Sequence, residues 1–164
     1  MSPTVIHSVL LFDGTSTHQN ATVVFDSDTG KITSVGSGSP NAPPSAAVID
    51  GKGHTLLPGL IESHMHVHDL HLPPGADGSS ILRDPLRSGV TTVCDMHSGP
   101  EDVNKWRKAI AEELAKAKAT GGTVTLSDLK TSLYGATIEG GWPKPIVLSH
   151  DPSDEVRFES KSAI

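Results

Sequence analysis

Residues 89–97, GVTTVCDMH, form a compact β-branched run, and the clearest helix of the chain follows at once over residues 98–122. Ser98 and Glu101 have the spacing of a capping box, and Val103, Trp106, Ile110, Leu114 and Ala117 fall on one apolar stripe. Gly121-Gly122 ends it. A β-branched run of this kind suits a strand buried in a parallel sheet, and a helix directly after it predicts a β/α unit. A second such unit precedes it. Residues 57–61 predict a strand or its approach, and residues 79–88, SSILRDPLRS, a helix that Pro85 keeps short or kinked.

The first fifty residues have a different rhythm. Residues 5–12 are rich in β-branched residues and leucine, and Asp13-Gly14 makes a turn after them. The apolar runs 23–25 and 32–35 flank Asp-Ser-Asp-Thr-Gly, a hairpin signal in which Gly30 can take the positive φ of the loop. Residues 36–45 are Gly-, Pro- and Ser-rich and predict a loop; residues 46–59 resume the strand pattern, with Asp50-Gly51 as their turn. The chain therefore reads as a β-sheet layer followed by β/α units. The tail carries a weak helical segment, a turn at Trp142 and a short strand over 146–148; residues after Val156 have no pattern.

Composition excludes several function classes. The chain has 164 residues and a net charge of -6, with no basic stretch, which argues against nucleic-acid binding and against a polybasic membrane contact. No apolar run approaches the roughly 20 residues of a membrane span, and the N-terminus lacks signal-peptide features. The single cysteine, Cys94, cannot form an internal disulfide. A cytoplasmic protein is expected.

Residues 58–71, PGLIESHMHVHDLH, place four histidines within eight positions. On a strand, His64 and His66 point to one side, and Ser63, Met65 and Val67 to the other. Their Cα atoms would lie about 7 Å apart, so both imidazoles could reach one cation at metal–nitrogen distances of about 2.1 Å. Such a pair is half of a divalent metal site, because catalytic zinc takes three protein ligands and an open position. The plain alternative is a surface cluster, or histidines that only shape a loop. The spacing alone leaves both open.

The run from Ile49-Asp50-Gly51 through Leu57-Pro58-Gly59-Leu60-Ile61 to His64-Met65-His66 resembles the signature of the amidohydrolase superfamily, whose members include urease, dihydroorotase and imidazolonepropionase. The 22–36 hairpin is similar to that family's N-terminal β-sandwich, SGVTTVCDMH to its second barrel strand, and LKTSLYGATIEGGWPKPIVL to the branch of Xaa-Pro dipeptidases, imidazolonepropionases and ochratoxin-type amidases. The similarity covers the chain to about Val156. Glu62 stands where most members have Asp.

The resemblance implies an α/β fold: half of a composite β-sandwich over residues 1–56, then the first units of an incomplete (β/α)8 TIM-type barrel over 57–164. It implies a divalent metal, zinc by preference and one or two ions in the complete enzyme, with His64 and His66 as ligands. It also implies hydrolysis of carbon–nitrogen bonds in small amide or cyclic amide substrates. Asp95, His97 and His68 are candidates to support the ligands; for Asp95 and His97 a loop-closing role is the alternative, and for His68 and His71 a solvated loop. Cys94 is expected to be a buried small hydrophobe, Trp106 core, and Trp142 a packed turn aromatic.

In the family, the remaining ligands are a carboxylated lysine, two later histidines and an aspartate on the later strands. Lys130, Lys144, His150 and Asp151 stand in the wrong contexts to replace them. A barrel of this type takes about 250 residues. The expectation is therefore an N-terminal fragment, inactive by itself, whose patternless end fits a frame shift or a misread intron. Its open sheet edge predicts marginal stability, homo-oligomers or aggregation. Two other readings stand beside it: a non-catalytic metal-binding or interaction module, and an assembly in which another chain supplies the missing strands.

Overall fold

The computed structural model describes residues 2–38, 42–67 and 79–133. The chain divides into two compact units, Met1–Gly59 and Leu60–Ile164.

The first unit is a five-stranded sheet: β1 (Pro3–Phe12), β2 (Thr17–Asp26), β3 (Lys31–Ser37), β4 (Ala47–Asp50) and β5 (Thr55–Leu56). The sheet runs β3-β2-β1-β4, with β5 also on β1. The expected hairpin is β2–β3, antiparallel, with Gly30 at φ 68° in its loop. The strand pattern after residue 45 divides into two short strands, both parallel to β1.

β1 does not alternate regularly. Ile6 pairs with Val23 and Val9 with Ala21, so two residues of β1 oppose one of β2; Ser8 adopts φ 59° there. This bulge reverses the alternation. Ile6 and Val9, three apart, thereby join Leu11, Ala21, Val23 and Leu56 in one cluster, although a regular strand would put them on opposite faces. A second irregularity, at Asn20 with φ 48°, lies between the Val9–Ala21 and Leu11–His18 pairs. In the cross-strand row Val35–Val23–Ile6–Ile49, Val23 is buried and Ile6 partly buried, while the ends, Val35 and Ile49, are about half exposed.

The β1–β2 turn is built on one carboxylate. Asp13 accepts from the backbone N–H of Ser16 and of Thr15, from the Thr15 hydroxyl, and bonds His18 Nε2 at 2.7 Å. The Ser16 N–H first, then His18 and Thr15, hold its pKa well below the ordinary carboxylate range. A folded-state pKa below the unfolded value contributes stability that is complete above the unfolded value, and that stability is lost as pH falls through the depressed one. Thermal melts of the first unit should therefore drop as the pH is taken down below about 4, and Asp13→Asn should remove part of that slope. Parallel acid profiles for the two proteins would disprove the assignment.

The second unit is a parallel sheet, β6 (Leu60–Met65), β7 (Val90–Asp95) and β8 (Asp128–Thr131), in chain order. α1 (Ser80–Arg87) connects β6 to β7, and α2 (Pro100–Thr120) connects β7 to β8. One cluster joins helices and sheet: Val67, Leu82, Val93, Trp106, Ile110, Leu126 and Leu129 are buried together, with Met65, Ile81, Val90 and Ala109 against them. Ile61 is 66% exposed and Leu60 48% at the start of β6. Among the described residues this is a mixed α/β arrangement with three parallel strands and no closed barrel.

Several local expectations change. The strand predicted at 57–61 begins only at Leu60 and runs on through His64. α1 is short, as expected, at eight residues, with Pro85 inside it. The capping box at Ser98 is not formed: Gly99 is the N-cap, Pro100 opens the helix, and no side chain caps it. Ser98 turns its hydroxyl to Asp95 instead, because a buried carboxyl competes for it more strongly than an exposed helix end. The apolar stripe of α2 is buried only from Val103 to Ile110, and Leu114 is half exposed. Gly121, at φ 66°, closes the helix as expected.

Candidate metal centre

The carboxyl ends of parallel β/α strands are where loops converge and ligands bind. His64 lies in the last turn of pleat of β6, and His66 directly follows the strand. Met65 and Val67 turn into the helix-covered core, so the two histidines stand on the opposite face. Both are exposed, and their rings meet edge to face with centroids 5.4 Å apart. Glu62 folds back so that its Oε1 accepts from the His64 backbone N–H at 3.0 Å.

The backbone around His66 is held on both sides. Met65 C=O accepts from Met96 N–H at 2.9 Å. Val67 N–H donates to Asp95 Oδ1 at 3.2 Å, and Val67 C=O accepts from Trp106 Nε1 at 2.9 Å. Asp95 is fully buried. Its Oδ1 also accepts from the Ser98 hydroxyl at 2.6 Å, and its Oδ2 from the Thr131 hydroxyl at 2.7 Å. Thr131 Oγ1 in turn accepts from Leu133 N–H at 2.8 Å.

Asp95 follows Val93 by two positions and shares its buried, helix-side face, opposite to the histidine rings. His97 is partly exposed in the loop after β7. Cys94 is partly exposed and not the buried hydrophobe expected, because it alternates with Val93 onto the face that no helix covers among the described residues. Lys130 is exposed and pairs with Asp128 at 2.7 Å. His68, His71, Trp142, Lys144, His150 and Asp151 lie outside the described residues. Among the described residues, no group of three or more His, Cys, Asp or Glu gathers so as to hold a metal ion. The donor set is thus two exposed imidazoles on one face, which fits two positions of a divalent site and leaves the others to further groups.

Sequence reasoning missed the parts of Trp106 Nε1, Ser98 and Thr131. A buried tryptophan needs a partner for its N–H, which is a signal that one exists. Its identity, a carbonyl 39 positions away, is not written in any local spacing.

No family model matches the chain. It is 32% identical over 80 residues to the dihydroorotase of Elusimicrobium minutum; the match takes in 46% of this chain and 18% of that protein. Among solved structures, an amidohydrolase is similar at 27% identity and a TM-score of 0.63, covering 85% of this chain and 33% of its own. A Xaa-Pro dipeptidase with methionine bound in its active site shares the fold at 21% identity and a TM-score of 0.65, covering 94% of this chain and 38% of its own. The chain therefore spans about a fifth of the length of the curated relatives it matches and about a third of the solved structures.

Proposed function

We propose that this chain, which belongs to the amidohydrolase superfamily, carries the first two metal ligands, His64 and His66, of a hydrolase acting on carbon–nitrogen bonds. The observation that supports the reading is the pair itself: two exposed imidazoles on one face at the carboxyl end of a parallel strand, 5.4 Å apart between ring centroids. In this reading the five-stranded unit is the family's sandwich portion and the three-stranded unit its first barrel strands. A divalent cation, zinc by preference, would be held by ring nitrogens of both residues and would supply Lewis acidity toward an amide carbonyl. The chain's own contribution is to present two imidazoles from a pinned backbone and to leave the remaining positions open. Two imidazoles do not complete the ligand set, so hydrolysis belongs to an arrangement that includes further groups.

The test is zinc titration by calorimetry. One equivalent should bind, and His64→Ala or His66→Ala should each weaken it at least tenfold. Unchanged binding in both variants would remove the reading. The same zinc-loaded protein should not turn over N-acyl amino acids or Xaa-Pro dipeptides. Zinc-dependent turnover that disappears in His64→Ala would instead favour an assembly in which other chains supply the missing ligands. A module that binds metal without any catalytic partner is the competing reading, and titration with no turnover in any mixture of chains would favour it.

A further inference from the structure

Three parallel strands end at one buried carboxyl. Val67, at the exit of β6, reaches Asp95 through its N–H; Asp95 is itself the last residue of β7; Thr131, the last residue of β8, reaches it through its hydroxyl. Ser98, on the way into α2, supplies the remaining donor. The two oxygens divide the work: Oδ1 holds Val67 and Ser98, while Oδ2 holds Thr131. On the other side of the same residue, Trp106 Nε1 holds the Val67 carbonyl. None of these groups lies on the face of the histidine rings.

We infer that Asp95 is a positioning residue for His66, and that Thr131 acts on His66 through it although Thr131 touches neither histidine. The reasoning is geometric. Fixing the C=O of Met65 and the N–H of Val67 fixes the peptide planes on both sides of His66, and so the direction of its Cα–Cβ bond; the Trp106 bond to the Val67 C=O holds the next peptide as well. The carboxyl is held from three directions, and removing the donor on Oδ2 lets it turn away from Val67. The hydroxyl of β8 is therefore coupled to the histidine end of β6. In metal proteins, groups that orient ligands in this way are worth about 10- to 100-fold in affinity. The metal part of this inference rests on the reading of His64 and His66 as ligands; the positioning part does not.

The experiment uses the full chain and four proteins: wild type, Asp95→Asn, Thr131→Val and Thr131→Ser. Valine keeps the β-branched shape that β8 prefers while losing the hydroxyl, and serine keeps the hydroxyl. The first readout needs no metal: amide hydrogen exchange at Val67, with Val93 and Leu129 as references in the same sheet. Asp95→Asn and Thr131→Val should speed exchange at Val67 at least tenfold more than at the references, shift the His66 ring resonances, and leave Thr131→Ser near wild type. Equal acceleration at all three amides would mean simple destabilisation and would overturn the inference, as would an unchanged Val67 in both variants. The second readout is zinc affinity, expected to fall about tenfold in Asp95→Asn and Thr131→Val and to recover in Thr131→Ser. If wild type binds no zinc, the ligand reading fails alone, and the exchange data still decide the role of Asp95.

Discussion

Trp106→Ala should lower the stability of the second unit by about 4 kcal/mol, the largest loss expected from any single substitution in it. The side chain is 3% exposed and packs with Val67, Leu82, Val93, Ile110, Leu126 and Leu129. Truncation opens a cavity where α2 meets the sheet, and the helix cannot close it without leaving β8. It also strips the Val67 carbonyl of its Nε1–H donor, and an unpaired buried acceptor costs about 1–3 kcal/mol. Small domains hold only about 5–15 kcal/mol in total, so urea unfolding followed by circular dichroism should find the midpoint of the second unit moved far toward zero urea. Trp106→Phe separates the two contributions. It keeps most of the ring volume and loses only the donor, so its cost should be about 1–2 kcal/mol. Equal losses in the alanine and phenylalanine variants would show that the hydrogen bond, and not packing, dominates.

The second large effect is expected in the other unit. A Cβ at Gly51 would stand 2.2 Å from Val9 Cγ1 and 3.1 Å from the His7 carbonyl oxygen. Backbone angles are not the obstacle, because Gly51 is not among the glycines with positive φ. Close approach is. Gly51 N–H donates to His7 C=O at 2.8 Å, which brings the β4–β5 turn directly against β1 beside the Ser8 bulge. Val9 is 2% exposed and packed in the cluster with Leu11, Ala21 and Val23. Gly51→Ala should therefore destabilise the first unit by about 3 kcal/mol. Val9→Ala alone leaves a cavity and should cost about 2 kcal/mol. In the double variant the new methyl occupies space that valine has vacated, so the combined loss should fall short of the sum by at least about 1 kcal/mol. Strict additivity in that cycle would show that the two side chains do not compete for the same space.

The Gly51 result also gives a physical reason for part of the family-like signature. Ile49-Asp50-Gly51 is not a ligand motif: Ile49 pairs with Ile6, Asp50 Oδ1 accepts from Lys52 N–H at 3.1 Å to shape the turn, and Gly51 allows the contact with Val9. The other half of the signature, His64-Met65-His66, which the proposed function reads as ligands, lies in the other unit.

Much of the local structure was legible from spacing alone. The stripe of α2, the Gly121 stop, the β2–β3 hairpin, the β-branched β7 and the shared face of His64 and His66 all follow from periods of 3.6 or 2 and from turn chemistry, which neighbouring residues impose on each other. What lay beyond the sequence depended on contacts between distant residues. A bulge at Ser8 reversed the alternation of β1, a carboxyl 28 positions from Val67 took up that residue's N–H, and Ser98 left its cap for the same carboxyl. Spacing determines which way a side chain points within its own element. Only the tertiary structure decides which buried polar groups meet, because a buried donor must find an acceptor wherever the fold places one. For this protein the histidine pair belongs to the first kind of information, and the carboxyl that holds its backbone in place belongs to the second.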